Sequence, residues 1–321
     1  MTRIVVLAGG FGGALFSHGV ALAAAASGAD LELTVVVNTG DDLELHGLLI
    51  CPDLDTVLYT LAGLANDETG WGVRDETWSA ADVLARLGAP TWFRLGDRDL
   101  ATHLRRTERL HGGARLTVVE SELAASLGVP ARILPMSDQR VRTELRTDAG
   151  WLEFQEYFVH RGHRDDVHEI RFAGIDTARP TPEVLEAIAQ ADRIVVAPSN
   201  PYVSIGTILA VPGITAELLA APAPIVAVSP IIAGAAVRGP ADRMFTTLGG
   251  EASARGVGRL YAERYPGLLD GLVIDTADAA QAPAIHELGL AVQATDTLMR
   301  DEADRRRLAE EALVFAAELA G

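Results

Sequence analysis

Runs of consecutive apolar residues recur along the chain, at residues 3–8 (RIVVLA), 31–37 (LELTVVV), 193–197 (RIVVA) and 225–229 (IVAVS). A strand with one wet face alternates apolar and polar residues. A strand that is apolar nearly throughout has both faces covered, as in a parallel sheet between two layers of helices. Three of these runs end in glycine or polar residues that lead toward a helical stretch. GGFGG at 9–13 precedes an alanine-rich helix over 14–26, NTGDD stands at 38–42, and PSNPYVS at 198–204 precedes a helix over 205–211. Short runs at 272–275 and 290–293 complete the sheet, and 297–319 has the period of a long amphipathic helix, with arginines 305–307 on its solvated face. Between 141 and 173 the period changes to alternation, over 141–148, 151–159 and 167–173, which predicts antiparallel strands. The loop 160–168 between the last two holds three histidines. Its spacing matches no metal-ligand template and Arg161 and Arg164 intervene, so it reads as a solvated hairpin tip.

These elements predict an α/β fold: a three-layer, Rossmann-like, mostly parallel sheet with helices on both faces and a small antiparallel β insertion at about 137–175. The chain has 321 residues, which suits a single domain over 1–321. The formal charge of −17 argues against sequence-independent binding to nucleic acid or to an anionic membrane. No stretch reaches the roughly 18 uninterrupted apolar residues of a membrane span, and the first residues break at glycines rather than forming a signal peptide. One cysteine rules out an internal disulfide and a thiolate zinc cluster, so a cytoplasmic setting is expected. The chain contains no lysine. Schiff-base chemistry, a lysine general base and a P-loop lysine are therefore excluded. An anionic substrate would need arginine, helix N-termini or a divalent cation.

The candidate chemistry centres on residues 38–56 (NTGDDLELHGLLICPDLDT), which hold Asp41, Asp42, Glu44, Asp53 and Asp55 together with His46 and Cys51. The stretch follows a predicted strand, so its acids fall at the carboxyl edge of the sheet, where open α/β sheets bind ligands. Asp53 has the position of a helix N-cap, with Asp55 and Thr56 in the first turn that follows. A second polar cluster spans 96–103 (GDRDLATH), where Asp97, Arg98, Asp99, Thr102 and His103 alternate over a helix start. The glycines at 9–13 have the layout of a phosphate cradle but not the spacing of the dinucleotide fingerprint. Trp71 and Trp78 offer surfaces for a flat ring. Carboxylate oxygens suit magnesium, which bridges to substrate phosphates. From residues alone the expectation is metal-assisted chemistry on a nucleotide or diphosphate, the alternative being a nucleotide-binding regulatory protein without turnover.

Eight segments in order, LAGGFGGALF, VVNTGDD, CPDLDTVLYTLAG, WGVRDETW, LGDRDLATH, ILPMSD, APSNPYVSIGTIL and VAVSPIIAG, resemble the CofD/FbiA transferases of deazaflavin coenzyme biosynthesis. The resemblance runs from residue 4 to about residue 300. It implies transfer of a 2-phospho-L-lactyl or phosphoenolpyruvyl group from a guanosine-diphosphate-linked donor to the ribityl hydroxyl of 7,8-didemethyl-8-hydroxy-5-deazariboflavin (Fo). GMP would be released, Mg2+ required, and coenzyme F-420-0 or its dehydro form produced, by a homodimer. It further implies that Gly9, Gly10, Gly12, Gly13 and Asn38 cradle the donor phosphates and that Ser199 and Asn200 contact the nucleotide. Asp42 and Asp55 would hold the metal, and one of them would accept the hydroxyl proton, with Arg98 completing the catalytic set. Asp55, Thr56, Asp97, Arg98, Thr102, His103 and Trp71 would meet Fo. The gluconeogenesis-factor proteins share the glycine turn but lack the PDLDT and GDRDLATH pair. A sugar-nucleotide-binding regulator of that type is the alternative.

Overall fold

The structure is a computed structural model that describes residues 1–28, 30–66 and 68–320. Seven parallel strands form its centre: β1 (Thr2–Ala8), β2 (Leu31–Val37), β5 (Arg132–Pro135), β9 (Arg193–Val196), β10 (Ile225–Val228), β13 (Gly271–Asp275) and β14 (Ala291–Thr295). Their order across the sheet is β14-β13-β10-β9-β1-β2-β5. Small pairs are made by β3 (Leu43–Leu45) with β4 (Leu48–Ile50) and by β11 (Ile231–Ile232) with β12 (Ala235–Ala236), both antiparallel. Neighbours along β1 divide between two cores: Val5 and Leu7 lie in one, Ile4, Val6 and Ala8 in the other. Side chains of a strand point alternately to the two faces, so a strand covered on both must be apolar at every position.

Helices α1 (Gly10–Ser27), α2 (Pro52–Leu61), α3 (Ser79–Arg86), α4 (Asp97–His111) and α5 (Leu116–Ser126) follow β1 to β4. Helices α6 (Pro182–Ala189), α7 (Ile205–Ala210), α8 (Ile214–Ala220), α9 (Ala241–Thr247), α10 (Ala254–Arg264), α11 (Ala282–His286) and α12 (Glu302–Leu319) belong to the second half. The glycines at 10, 12 and 13 lie inside the first turn of α1, with Gly9 as its N-cap. By length and composition α1 is apolar enough to span a bilayer. Here Gly13, Ala14, Leu15, Phe16 and Val20 are buried among its neighbours, and at Gly19 a Cβ would stand 2.1 Å from the Arg305 carbonyl oxygen of α12. That contact corrects one expectation. Arg305 is buried against α1, with His18 Nδ1 3.2 Å from its guanidinium, rather than lying on the solvated face with Arg306 and Arg307.

The antiparallel insertion comprises β6 (Arg142–Thr147), β7 (Gly150–Glu153) and β8 (Glu169–Ala173), in the order β7-β6-β8. The strand expected over 151–159 stops at Glu153, and Glu156–His160 winds into a π-helical turn. Phe154 and Phe158 stack at 5.4 Å, a contact that extended backbone would not allow. The three-histidine loop is exposed at His160 and His168, as expected of a solvated segment, but it is not a hairpin tip, because β7 and β8 each pair with β6 and not with each other. Arg161 donates twice to Asp165, at 2.6 and 2.8 Å, Arg243 pairs with Asp166 at 2.8 Å, and His163 stacks on Phe158 at 5.1 Å.

Candidate active site

Strand order reverses between β1 and β9, one half of the sheet building outward from each. The crevice at such a switch point is the expected ligand site of an open α/β sheet. The two turns that meet there are bonded to each other: Gly9 N–H donates to Ser199 Oγ at 3.1 Å, and Ser199 Oγ–H donates to the Gly9 carbonyl at 2.8 Å. At Gly12 a Cβ would stand 2.4 Å from the Pro198 carbonyl oxygen. Here glycine permits close approach of protein to protein. Asn200 Oδ1 accepts from the Tyr202 N–H at 2.9 Å, and its amide nitrogen faces Met244 Sδ at 3.3 Å.

Asp53 lies in the first turn of α2, whose N-cap is Cys51, yet its carboxylate reaches the start of α1. It accepts from Asn38 Nδ2 at 2.9 Å, and the Gly10 N–H also bonds to it. Asn38 is fully buried, its Oδ1 accepting from Gly40 N–H at 2.8 Å. Burial pushes the Asp53 carboxyl up to about 6, against the pull of those two donors. Burial also raises Asp41, with repulsion from Asp53 adding to it, and raises Asp42 despite the Cys51 thiol beside it. Among the described residues, Asp41 Oδ1 and Asp42 Oδ1 are buried without a hydrogen-bond partner. Buried acids that repel one another and keep unsatisfied oxygens suit a hard divalent cation such as Mg2+.

Asp42 opens on two cavities. One, of about 320 Å³, is lined by residues 40–44, by Arg142, Thr143, Glu153, Gln155 and Glu156, and by the rings of Trp92, Phe154 and His160. Trp92 and His160 stack at 5.4 Å with their planes 26° apart. The other, of about 240 Å³, is lined by Thr39, Asp42, Glu44, Thr107, His111, Asp138, Gln139 and Arg140 among others. An Arg140–Glu44 pair at 2.8 Å lies between them. Trp92 and Phe154 were not singled out in the sequence, and His160 was weighed there only as part of the three-histidine loop; it stands far from Trp92 in the chain and only folding stacks them.

Asp55 sits deeper, 5% exposed. Both its oxygens accept from Arg106, Nη1 at 3.2 Å and Nη2 closer still. Arg106 and Glu120 are fully buried, and Arg106 Nε donates to Glu120 at 2.7 Å. Burial works against the charge of Arg106, but Asp55 and Glu120 hold its pKa above the ordinary value. His103 Nδ1 is 3.6 Å from Asp55, and its Nε2 is 3.2 Å from Asp99, not aligned for a hydrogen bond. Tyr59 donates to Asp99 at 2.8 Å. Asp55, Asp99 and His103 lie close enough together to hold a cation, and the Arg106 guanidinium bonds to Asp55 beside them, leaving a second lone pair on each Asp55 oxygen. Sequence reasoning missed Arg106 and Glu120. The one available signal was helix phase, since Arg106 falls three residues after His103 on the face that turns inward.

The remaining candidates stand further out. Asp97 accepts from Thr77 Oγ at 2.6 Å and from the Ser79 and Ala80 N–H groups at 3.0 and 2.9 Å, which caps α3 and holds the acid below its usual range. Glu76 in turn accepts from the Arg98 and Asp99 N–H groups at 2.8 and 3.0 Å, capping α4. Arg98 is exposed and donates to the Arg74 carbonyl at 3.0 Å. Thr102 contacts Tyr59 from α4, and Thr56 donates to the Pro52 carbonyl at 2.7 Å. Trp71 is 48% exposed and meets Trp78 edge-on at 6.1 Å. The structure therefore gathers Asn38, Asp42, Asp55 and His103 around the buried acids and leaves Asp97, Arg98 and Trp71 at the surface.

Among known proteins, residues 4–313 match the family described as 2-phospho-L-lactate transferase CofD. The chain is 49% identical over 322 residues to a phosphoenolpyruvate transferase of Kitasatospora aureofaciens, covering 99% of this chain and 98% of that one. It is 43% identical over 340 residues to a phosphoenolpyruvate transferase of Mycobacterium avium, covering 98% of each. Among solved structures, a UPF0052-family protein of Bacillus halodurans matches with a TM-score of 0.66 over 98% of this chain and 99% of that one; at 16% identity this is a likeness of fold. By the extent of the family match and the identity to these relatives, the chain belongs to the CofD family of 2-phospho-L-lactate transferases.

Proposed function

We propose that this enzyme transfers a phosphoenolpyruvyl or 2-phospho-L-lactyl group from a guanosine-diphosphate-linked donor to the ribityl hydroxyl of Fo. The acceptor oxygen bonds to the phosphorus that bears the organic acid, the bond from that phosphorus to the GMP oxygen breaks, and GMP leaves. The observation that carries the reading is Asp42: an acid with a buried, unsatisfied oxygen, opening on a cavity walled by flat rings. The Trp92–His160 stack and Phe154 suit a planar ring system, and the backbone and side-chain oxygens of residues 40–44 and 153–156 suit a polyhydroxy chain. The crevice between β1 and β9, at the N-terminus of α1, suits the donor nucleotide.

Mg2+ would be held by Asp42 together with Asp55 or Asp41, and would offset charge on the transferring phosphoryl group. In this reading Asp42 or Asp55 accepts the acceptor's hydroxyl proton. The enolpyruvyl donor is favoured, because relatives at 43–49% identity carry the name phosphoenolpyruvate transferase. The deciding experiment is incubation with Fo, Mg2+ and each donor in turn, with products read by mass spectrometry, beside a titration following Fo fluorescence. Absence of Fo binding, with tight binding of a sugar nucleotide instead, would overturn this reading in favour of a regulatory one.

A further inference from the structure

Arg106 is a fully buried arginine in a region dominated by acids. Its guanidinium uses three nitrogens on two carboxylates: Nη1 and Nη2 on Asp55, and Nε on Glu120 at 2.7 Å. Glu120 Oε2 has no hydrogen-bond partner, so Arg106 is the sole hydrogen-bonding partner of that carboxylate among the described residues. The Arg106 charge also acts on Asp42, the acid that opens on both cavities. A buried ion pair of this kind is weak evidence for stability, since apolar side chains of the same volume often serve as well. A planar fork gripping both oxygens of one carboxylate does something an apolar group cannot: it fixes the rotation of that carboxylate.

We propose that Arg106, held in place by Glu120, is a positioning residue for the transfer. It fixes the orientation of Asp55 and places a buried positive charge against that carboxylate. This rests on the reading of Asp42 and Asp55 as the acids of the reaction centre. Groups that orient metal-holding carboxylates typically change metal affinity or activity by about 10–100-fold when altered.

The test compares Arg106→Lys, which keeps a charge and loses the fork, with Glu120→Gln, which keeps the shape and an acceptor for Arg106 Nε. The expected result for Arg106→Lys is a kcat lower by about 30-fold with KM for donor and acceptor within about 3-fold. Binding of Mn2+ to the substrate-free protein, followed by calorimetry, should weaken by about 10-fold. Glu120→Gln should move the same two quantities in the same direction, by less. A folded Arg106→Lys with wild-type kcat and Mn2+ affinity overturns the proposal. So does a variant that loses only folded protein while turnover per folded molecule is unchanged. If Arg106→Lys does not fold, Glu120→Gln decides alone: wild-type values of both quantities in a chain of unchanged Tm overturn the proposal. Asp55→Asn separates the two levels. Wild-type turnover in that variant removes the underlying site reading, whereas an inactive Asp55→Asn beside a wild-type Arg106→Lys removes only the role given to Arg106.

Discussion

Asp42 concentrates what single residues contribute here. Its charge is disfavoured by burial and by its neighbours Asp55 and Asp53, and one oxygen goes unsatisfied. A buried polar atom left without a partner costs about 1–3 kcal/mol. Because burial and the neighbouring acids disfavour the Asp42 charge, which the amide lacks, Asp42→Asn should raise the Tm of protein stripped of metal with EDTA. It should also abolish the further rise that millimolar Mg2+ produces in the wild type. Equal Mg2+-dependent shifts in the two proteins would remove Asp42 from the metal site. Gly12 makes a second prediction at this scale. A Cβ there would meet the Pro198 carbonyl, which belongs to backbone and cannot swing aside. Gly12→Ala is expected to destabilise by about 1–3 kcal/mol, read from the urea midpoint. Sequence made the acids legible as a cluster but not as individuals. Asp53 looked like a cap of its own helix, and only the packing of α2 against α1 reveals that it serves α1. Asp97 looked like a ligand group, because the N–H groups it caps lie 17 and 18 residues earlier in the chain.

Elements contribute by what they bring together. The π-helical turn after β7 carries His160 over Trp92, and Asp166 ties the following loop to Arg243 of α9. Trp92→Ala should raise KM for the acceptor by about 10-fold and leave donor KM within about 2-fold, as expected for loss of one ring contact. An equal rise in both constants would place the ring's effect elsewhere. The starts of α5 and α6 are joined through Arg115, which pairs with Glu183 and Asp138. Arg115 pulls the Glu183 carboxyl down to about 2. A depressed folded-state pKa adds stability above the ordinary glutamate range and loses it as pH falls through the folded value. Arg115 is 46% exposed, so solvent screens the pair and its contribution is small. The deficit of Arg115→Ala relative to wild type should thus be largest near pH 7 and shrink between pH 4.5 and pH 2, as followed by chemical denaturation.

Over the whole molecule the charge is −17, and acids outnumber arginines around the larger cavity. An anionic donor is repelled where an uncharged acceptor is not. Raising ionic strength from 50 to 200 mM at saturating Mg2+ should therefore raise kcat/KM for the donor by about 2–5-fold and leave the acceptor's nearly unchanged. The layered sheet was legible because unbroken apolar runs admit only a strand covered on both faces. The insertion was legible where side chains alternate and was misjudged at residues 154–159, where Phe154, Tyr157 and Phe158 have strand propensity but pack as a turn of helix. Arg106 stayed hidden beside Arg105, since the choice between two adjacent arginines is made by the phase of α4 against α5. The contact between α1 and α12 also bears on how the chain comes into being. His18 and Arg305 touch across 287 residues. At a synthesis rate of about 5–20 residues per second, α12 emerges roughly 15–60 s after its partner. For that interval the apolar helix α1 lacks the cover of α12, so a chaperone that binds exposed apolar helices should capture ribosome-bound chains halted before residue 302 and release full-length chains held on the ribosome through an added C-terminal linker.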